Sequence, residues 1–147
     1  MRVWIYEQAG ALPFRVVDGS IHILLITNRK KTKWLIPKGL IDNPRYPEET
    51  ASNEAMEEAG VKGQLFPFPV AHYSYKKWGG TCCVRVYLME VQEQVSEFLE
   101  KSMRELRWCS VDEAVSLVDN EELSDIINAA PEVIASLHSS FVFDDIK

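Results

Sequence analysis

Apolar positions along the chain fall into short runs whose length and composition are typical of β-strands. The clearest run covers residues 21–27, where apolar and β-branched residues follow one another without alternation, as in a strand buried on both faces. Polar residues 29–32 then turn the chain, and residues 76–80 are predicted to form the turn of a hairpin. Further strands are predicted over residues 34–36, 64–68, 70–76, 81–91 and 106–109.

A helix is predicted from about Pro47 to Gly60. Proline is tolerated at the first helical position, and the acidic side chains of Glu48 and Glu49 favour the positive end of the helix dipole. Gly60 is well placed to end the helix, because glycine adopts the left-handed conformation found after many helices. One face carries small residues and is expected to pack closely on a sheet: Ala51, Ala55 and Ala59.

Three further helices are predicted toward the C-terminus. The first covers residues 111–118 with Ser110 as its N-cap, the second covers residues 121–129, and Pro131 opens a last helix through His138. Since no repeat or linker interrupts the 147 residues, we expect one domain over residues 1–147, with a C-terminal helical extension from about residue 131. This order of elements favours an α/β fold, an α/β/α sandwich with a mixed β-sheet.

Composition indicates a globular protein, with 46% hydrophobic and 26% charged residues. No apolar run approaches the roughly 20 residues needed to cross a bilayer. The first ten residues lack the pattern of a secretory signal. Cys82, Cys83 and Cys109 are odd in number and include an adjacent pair, so neither a disulfide framework nor a zinc site is predicted. We therefore expect a cytoplasmic protein without membrane association, with buried or inert thiols.

Charge is unevenly distributed in this chain, whose formal net charge is −6. Residues 19–41 contain five lysines and arginines and no acid, whereas residues 90–125 contain eleven acids. A compact basic segment in an acidic protein favours a small phosphorylated substrate over a nucleic acid duplex, which usually requires a broad basic face. A solvated hairpin turn is the alternative interpretation of residues 29–33.

Three carboxylates share one side of the first predicted helix. Glu54 stands beside both Glu57 and Glu58, because helical neighbours lie three and four positions apart. Like charges at this spacing repel one another. A hard divalent cation relieves the repulsion, since Mg²⁺ prefers oxygen ligands. Taken alone, however, these residues also fit an exposed acidic helix end.

Residues 39–61 resemble the box motif of the Nudix hydrolases, and residues 34–39 (WLIPKG) resemble the strand and turn that enter this box. Arg45 stands where the first box glutamate is expected, and Asn53 stands where the box arginine is expected. In the family these two side chains help to brace the loop and the helix, so both ends of one support are absent here. The positions that match do so without insertion or deletion: Gly39, Glu54, Ala55, Glu57, Glu58, Gly60 and Val61.

The resemblance implies a Nudix-type α/β/α sandwich that hydrolyses a pyrophosphate bond in a nucleoside diphosphate-linked or polyphosphorylated small molecule. It also implies Mg²⁺, or Mn²⁺, held by the catalytic carboxylates Glu54, Glu57 and Glu58, with the carbonyl of Gly39 as a further ligand. Four basic residues are candidates for binding the substrate: Lys38, Lys33, Arg29 and Lys76.

Several assignments stay open at this point. Some family members take their general base from a loop after the central strands, where this chain offers four acids that are otherwise solvated: Glu93, Glu97, Glu100 and Glu105. Tyr75 and Trp78 either stack on a substrate or pack across strands. Structural roles are favoured for the three histidines, His22, His72 and His138, which lack the spacing of metal ligands.

Residues 34–39, 57–63 and 104–114 resemble the diphosphoinositol polyphosphate phosphohydrolases and their bacterial relatives, which take dinucleoside polyphosphates and inositol pyrophosphates. A rival interpretation is a non-catalytic Nudix-like sensor of a nucleotide or phosphate ligand, supported by Arg45 and Asn53. An acidic interaction domain is a third interpretation and predicts no stabilisation by Mg²⁺ or Mn²⁺. Edge strands in this fold also allow a homodimer.

Overall fold

A computed structural model describes residues 3–145 of the chain, with side chains described as far as residue 137. Within this range eight strands form one mixed sheet. The strands are β1 (Ile5–Val17), β2 (Ser20–Thr27), β3 (Trp34–Leu35), β4 (Lys38–Leu40), β5 (Val61–Leu65), β6 (Ala71–Lys77), β7 (Gly80–Gln94) and β8 (Leu106–Ser110). The helices are α1 (Pro47–Ala59), α2 (Val111–Leu117) and α3 (Glu121–Asp145), with a 3₁₀ turn at Lys101–Met103.

The sheet runs in the order β3-β2-β1-β7-β5, with β4 paired to β1, β6 to β7 and β8 to β2. Strands β1 and β7 are parallel, and the other described pairs are antiparallel. Successive side chains of the central strands point to opposite faces of the sheet and pack in two separate cores. In β2, Ile23 and Leu25 join the core under α2 and α3, whereas Leu24 and Ile26 join the core under α1. The predicted α/β/α sandwich with a mixed sheet is confirmed.

Helix α1 agrees with the prediction from the sequence. Its apolar face is the alanine stripe, because Ala51, Ala55 and Ala59 are fully buried against the sheet. Gly60 ends the helix with φ 66° and donates its N–H to the carbonyl of Met56. The small side chains bring the helix axis close to the sheet. This close packing fixes the position of the acidic side of α1 relative to β4.

Strand β1 was not predicted from the sequence. Its interior contains Gly10 and Pro13, two residues that weaken a strand signal, yet residues 8–14 are all buried. A Cβ atom at Gly10 would lie 2.8 Å from the carbonyl oxygen of Pro37, so this glycine lets the segment before β4 approach the sheet. Gly10, which weakens the strand signal of β1, is therefore the residue that admits the segment before β4 to its place beside β1.

Two predicted strand boundaries differ from the structure. Strand β5 begins directly after Gly60 and ends before residue 66, whereas the prediction placed it over residues 64–68. Pro67 has no N–H to donate to a sheet, which excludes the end of the predicted range. The turn between β6 and β7 consists of two residues, Trp78 and Gly79, with φ 55° and 70°, a compact hairpin turn of the primed type.

The helices predicted over residues 121–129 and 131–138 form a single helix, α3, with Pro131 inside it. The apolar stripe is continuous on both sides of the proline, since Leu123, Ile127, Ala130 and Ile134 are all buried in one core. Burial of this stripe offsets the hydrogen bond that Pro131 cannot donate, a loss that in a helix interior costs about 3 kcal/mol. None of the described helices has the length and apolarity to cross a bilayer.

Candidate active site

The acidic side of α1 faces the short strand β4. Strand β4 pairs with β1 so that Gly39 lies opposite Ala9, and this pairing places Gly39 against the helix. A Cβ atom at Gly39 would lie 3.0 Å from Cγ of Glu54 and still closer to its carboxyl group. The backbone of Gly39 and the carboxyl group of Glu54, predicted from the sequence to share a metal ion, are thus neighbours.

Glu58 is held by donors from two other parts of the chain. One carboxylate oxygen accepts the backbone N–H of Lys38 at 3.1 Å, and the other lies 3.3 Å from Nη2 of Arg104. Both charged side chains of this ion pair are only 8% exposed. Glu58 is therefore a buried, oriented carboxylate, unlike the exposed acid expected at an ordinary helix end.

The carboxyl groups of Glu54 and Glu58 lie close together, and hydrogen bonding between them raises the pKa of Glu54 and lowers that of Glu58. Burial, that hydrogen bond and the negative charges of Glu58, Glu57 and Glu100 raise the pKa of Glu54 to about 8. Burial also raises the pKa of Glu58, although the Arg104 guanidinium opposes this shift. Both shifts favour the protonated form of the pair when no metal is bound, as expected for carboxyl groups brought close together in a partly buried place.

These residues fit a hard divalent cation. Their donors are carboxylate and carbonyl oxygens, their charge is in excess, and their partial burial excludes competing water. Among the described residues no three His, Cys, Asp or Glu side chains are arranged so that they could hold a metal ion without moving. The pair Glu54–Glu58 is thus the preformed part of the site, and Glu57 is close enough for its charge to raise the pKa of Glu54.

The four acids considered as general base occupy different places. Glu93 pairs with Lys62, Glu97 pairs with Lys101, and Glu105 is exposed beside Thr27. Glu100 alone among them is buried, and it forms a carboxylate cluster with Glu54, Glu57 and Glu58. Its carboxylate binds both Arg29 and Arg104. A carboxylate held by two guanidinium groups suits a bracing role in the site, because both partners fix its orientation.

Arg104 was not identified from the sequence as a site residue. Its partners Glu58 and Glu100 lie on α1 and next to the 3₁₀ turn, and it donates to the carbonyl of Thr27, 77 residues away along the chain. No local spacing could have indicated these contacts. The basic residue with the most contacts in the carboxylate cluster is thus one that only the folded structure identifies.

The basic residues predicted to bind substrate do not form one group. Arg29 reaches the carboxylate cluster through Glu100, and Lys38 lies beside Glu58. Lys33 lines a cavity next to Lys38. Successive side chains of a strand point to opposite faces, so Lys76 points away from this cavity, which Tyr75 lines. The Nζ of Lys76 donates to the hydroxyl of Thr81 at 2.8 Å, and both residues line a separate cavity.

The cavity beside Lys38 has a volume of about 320 Å³. Lys38 connects it to the carboxylates, since Nζ of Lys38 lies 5.0 Å from the ring centre of Tyr75 while its backbone N–H binds Glu58. Burial lowers the pKa of the Lys38 ammonium group below its usual value. Apart from Lys33, Lys38 and the polar residues Asp119 and Asn120, the lining consists of Trp34, Leu35, Tyr73, Tyr75, Val118 and Leu123.

Two tyrosines of β6 form one wall of this cavity. The rings of Tyr73 and Tyr75 lie 6.3 Å apart at 27°, and the hydroxyl of Tyr75 donates to Gln8 at 2.7 Å. The hydroxyl of Tyr73 is buried and has no hydrogen-bond partner among the described residues. Trp78, the other aromatic candidate, packs edge-on against Tyr6 outside the cavity. The structure thus separates Tyr75, which lines the cavity, from Trp78, which packs across strands.

Cys82 and Cys109 are buried and Cys83 is half-buried, and all three are free thiols. This placement agrees with the expectation that they are buried or inert. His22 lies on β2 and His72 on β6, and neither belongs to a metal-binding cluster within the described residues. The side chain of His138 lies outside the described residues.

Comparison with known proteins agrees with this geometry. The family model described as the NUDIX domain matches residues 7–145. Nudix hydrolase 16, mitochondrial, of Arabidopsis thaliana is 33% identical over 125 residues, which make up 73% of this chain and 69% of that protein. Diphosphoinositol polyphosphate phosphohydrolase 2 of Rattus norvegicus is 34% identical over 59 residues, 40% of this chain and 33% of that protein.

Among solved structures, the crystal structure of a C. elegans Ap4A hydrolase binary complex matches with a TM-score of 0.78 and 21% identity. The match covers 89% of this chain and 98% of the C. elegans chain, so the two proteins share the fold over nearly their whole length. Together with the domain match over residues 7–145, the paired glutamates of α1 and the adjoining Gly39, these similarities show that the chain belongs to the Nudix hydrolase family.

Proposed function

We propose that the protein is a Mg²⁺-dependent, or Mn²⁺-dependent, pyrophosphohydrolase of a small polyphosphorylated molecule that carries a nucleoside. The observation that carries this proposal is the Glu54–Glu58 pair facing Gly39, since carboxyl groups held this close beside a backbone carbonyl suit a hard divalent cation. Glu54, Glu57, Glu58 and the carbonyl of Gly39 would hold the metal. When bound, a divalent ion activates a water molecule and neutralises charge on the phosphate oxygens.

The residues of the chain itself have three tasks in this reaction. The glutamates and Gly39 fix the position of the cation relative to the substrate. Lys38 is placed to neutralise a phosphate next to the carboxylates, because its backbone binds Glu58 and its side chain faces the cavity. The cavity walls hold the organic group of the substrate, so that the pyrophosphate bond lies over α1.

The cavity lining favours a nucleoside over an inositol polyphosphate. Aromatic and aliphatic side chains predominate, and an aromatic base stacks well on such surfaces. An inositol pyrophosphate carries phosphates around its ring and requires many cations, whereas this cavity offers Lys33 and Lys38. The unpartnered hydroxyl of Tyr73 adds a hydrogen-bonding group for a ring nitrogen or a sugar hydroxyl.

A substrate panel tests this function. Wild-type protein is incubated with a dinucleoside tetraphosphate, a nucleoside diphosphate sugar and an inositol pyrophosphate, with Mg²⁺ or with EDTA, and the products are separated by ion-exchange chromatography. We expect Mg²⁺-dependent cleavage of the nucleoside compounds at the highest kcat/KM. Preference for the inositol pyrophosphate would contradict the nucleoside assignment. Tight binding without cleavage would identify a sensor, and no thermal stabilisation by Mn²⁺ would support an interaction domain.

Tyr73→Phe provides a second test, directed at the cavity. The substitution removes one hydroxyl that has no partner in the free protein, so we expect the Tm to stay constant or to rise by a few degrees. The KM for the nucleoside substrate should rise roughly three- to tenfold, because about 1 kcal/mol of hydrogen bonding to the ligand is lost.

Tyr75→Phe is the matched control. It removes the hydroxyl that binds Gln8 within the protein, and it keeps the aromatic ring in the cavity wall. We therefore expect a lower Tm and an unchanged KM, the reverse of the Tyr73→Phe result. Equal KM values for Tyr73→Phe and the wild type would show that the Tyr73 hydroxyl does not contact the substrate.

A further inference from the structure

The box positions that depart from the Nudix pattern carry no bracing contact. Arg45 is exposed, and its described hydrogen bond is that of its backbone N–H with Asp42. Neither the Arg45 side chain nor that of Asn53 makes a hydrogen bond or an ion pair with a residue of the described range 3–145. The loop before α1 is therefore not tied to the helix by a charge pair at these positions.

Arg104 supplies a buried guanidinium on the other side of the acidic cluster. Its Nε and Nη2 donate to Oε1 of Glu100 at 3.2 and 3.0 Å, and its Nη1 donates to the carbonyl of Thr27 at 2.9 Å. Nη2 also lies 3.3 Å from Oε2 of Glu58. All three nitrogens of the planar fork are engaged, which fixes the guanidinium against β2 and aims it at Glu58.

Glu100 anchors this arrangement to α1 as well. Its backbone N–H donates to the carbonyl of Glu57 at 2.9 Å, near the C-terminal end of the helix. The side chain of Glu100 is buried and also accepts from Arg29. Residues 100–104 thus form a brace that touches the backbone of α1 at Glu57 and its side chain at Glu58. Two consecutive glutamates of the helix are held by one segment.

We propose that Arg104, supported by Glu100, is a positioning residue that orients Glu58 for metal binding and takes over the bracing that the box charges at positions 45 and 53 provide in the family pattern. This inference rests on the proposed metal-binding function of Glu58. Arg104 needs no contact with the substrate, because it acts through the orientation of a carboxylate. A partner that orients a metal ligand in this way typically contributes about 10- to 100-fold to metal affinity or activity.

Arg104→Lys is the decisive variant, because lysine keeps the positive charge and loses the planar fork. The net charge of the site therefore stays that of the wild type, and any change in metal affinity reports the orientation of Glu58. We expect the dissociation constant for Mn²⁺, measured by electron paramagnetic resonance without substrate, to rise about tenfold. The kcat at saturating Mg²⁺ should fall by about the same factor with little change in KM for the substrate.

Arg107→Lys is the control on the next strand, where Arg107 forms an exposed ion pair with Glu113 at 3.0 Å. It should leave Mn²⁺ affinity and kcat unchanged. Equal Mn²⁺ dissociation constants and equal kcat values for the two lysine variants would overturn the positioning role while leaving the proposed hydrolase function intact. A wild type that binds Mn²⁺ but cleaves no substrate, together with weaker binding by Arg104→Lys, would uphold the positioning role and reject the hydrolase function.

The replacement part of the proposal is tested by restoring the box charges. Arg45→Glu and Asn53→Arg are introduced together into the Arg104→Lys variant. If residues 100–104 have taken over the bracing of the box, the restored pair should recover at least half of the lost Mn²⁺ affinity on a logarithmic scale. For a tenfold rise in the dissociation constant, this means that the restored pair lowers the constant again by roughly threefold. An affinity no better than that of Arg104→Lys alone would overturn the replacement.

Discussion

Glu57→Gln should lower kcat at saturating Mg²⁺ by about a thousandfold, equivalent to roughly 4 kcal/mol of barrier, because a neutral amide replaces a proposed metal ligand. The fold should remain intact. The described contact of Glu57 with Glu100 involves its backbone carbonyl, so the substitution removes no side-chain hydrogen bond or ion pair within the described residues. We expect the same Tm as the wild type, measured in EDTA, alongside the loss of turnover measured with the preferred substrate of the panel.

Glu97→Gln is the matched control for charge, since Glu97 is 85% exposed and pairs with Lys101 on the surface. It should retain wild-type kcat. Glu58→Gln should lose activity as well, and it should also lose stability, because the buried Arg104 would face an amide in place of a carboxylate. Unchanged turnover in both Glu57→Gln and Glu58→Gln would refute the metal-binding assignment of the helix.

Gly39→Ala should reduce kcat by about a hundredfold, the scale of loss that follows a displacement of about 1 Å in an active site. The added methyl group would occupy the space of the Glu54 carboxyl group, which can swing away because it is the end of a flexible side chain. The free energy of unfolding should therefore change little. The clash is relieved by moving Glu54, a proposed metal ligand, so we expect the substitution to lower activity rather than stability.

Gly19→Ala serves as the comparison for this variant. Gly19 has φ 80° in the turn between β1 and β2, and a Cβ atom there would meet nothing within 4 Å. Alanine at this left-handed position should destabilise the protein by about 1 kcal/mol and leave kcat unchanged. We expect Gly19→Ala to lose stability and keep activity, and Gly39→Ala to lose activity and keep stability. This pair of results would separate the effect of backbone strain from that of displacing Glu54. Wild-type kcat in Gly39→Ala would contradict the placement of Glu54 in the metal site.

The part of the site that the sequence predicts is the part encoded locally. The spacing of Glu54, Glu57 and Glu58 on a helix that ends at Gly60 is set by helical geometry, and the structure reproduces this helix to its last residue. Lys38 and Gly39 are also predicted from the sequence, but only through the resemblance of residues 34–61 to the Nudix pattern. Short-range rules of helix formation are sufficient for the three glutamates alone.

The remaining features depend on distant contacts. Arg104 is ordinary in sequence, and its importance arises when β8 pairs with β2 and brings it to Thr27 and Glu58. Tyr73 could be assigned to a strand, but only the packing of α3 on β6 shows that its hydroxyl is buried beside a cavity. Likewise, Pro131 predicts a helix start by local rules, and burial of the flanking apolar residues overrides that preference.

The arrangement of two cores on opposite faces of one sheet has a consequence for how such a protein can diversify. The proposed metal ligands lie on the helix of one face, whereas the walls of the cavity come largely from the layer on the other face. We therefore expect substitutions beneath α2 and α3 to alter the cavity walls while the proposed metal ligands of α1 stay in place. Because the sheet separates the two cores, the residues of one core can change in sequence while those of the other stay the same.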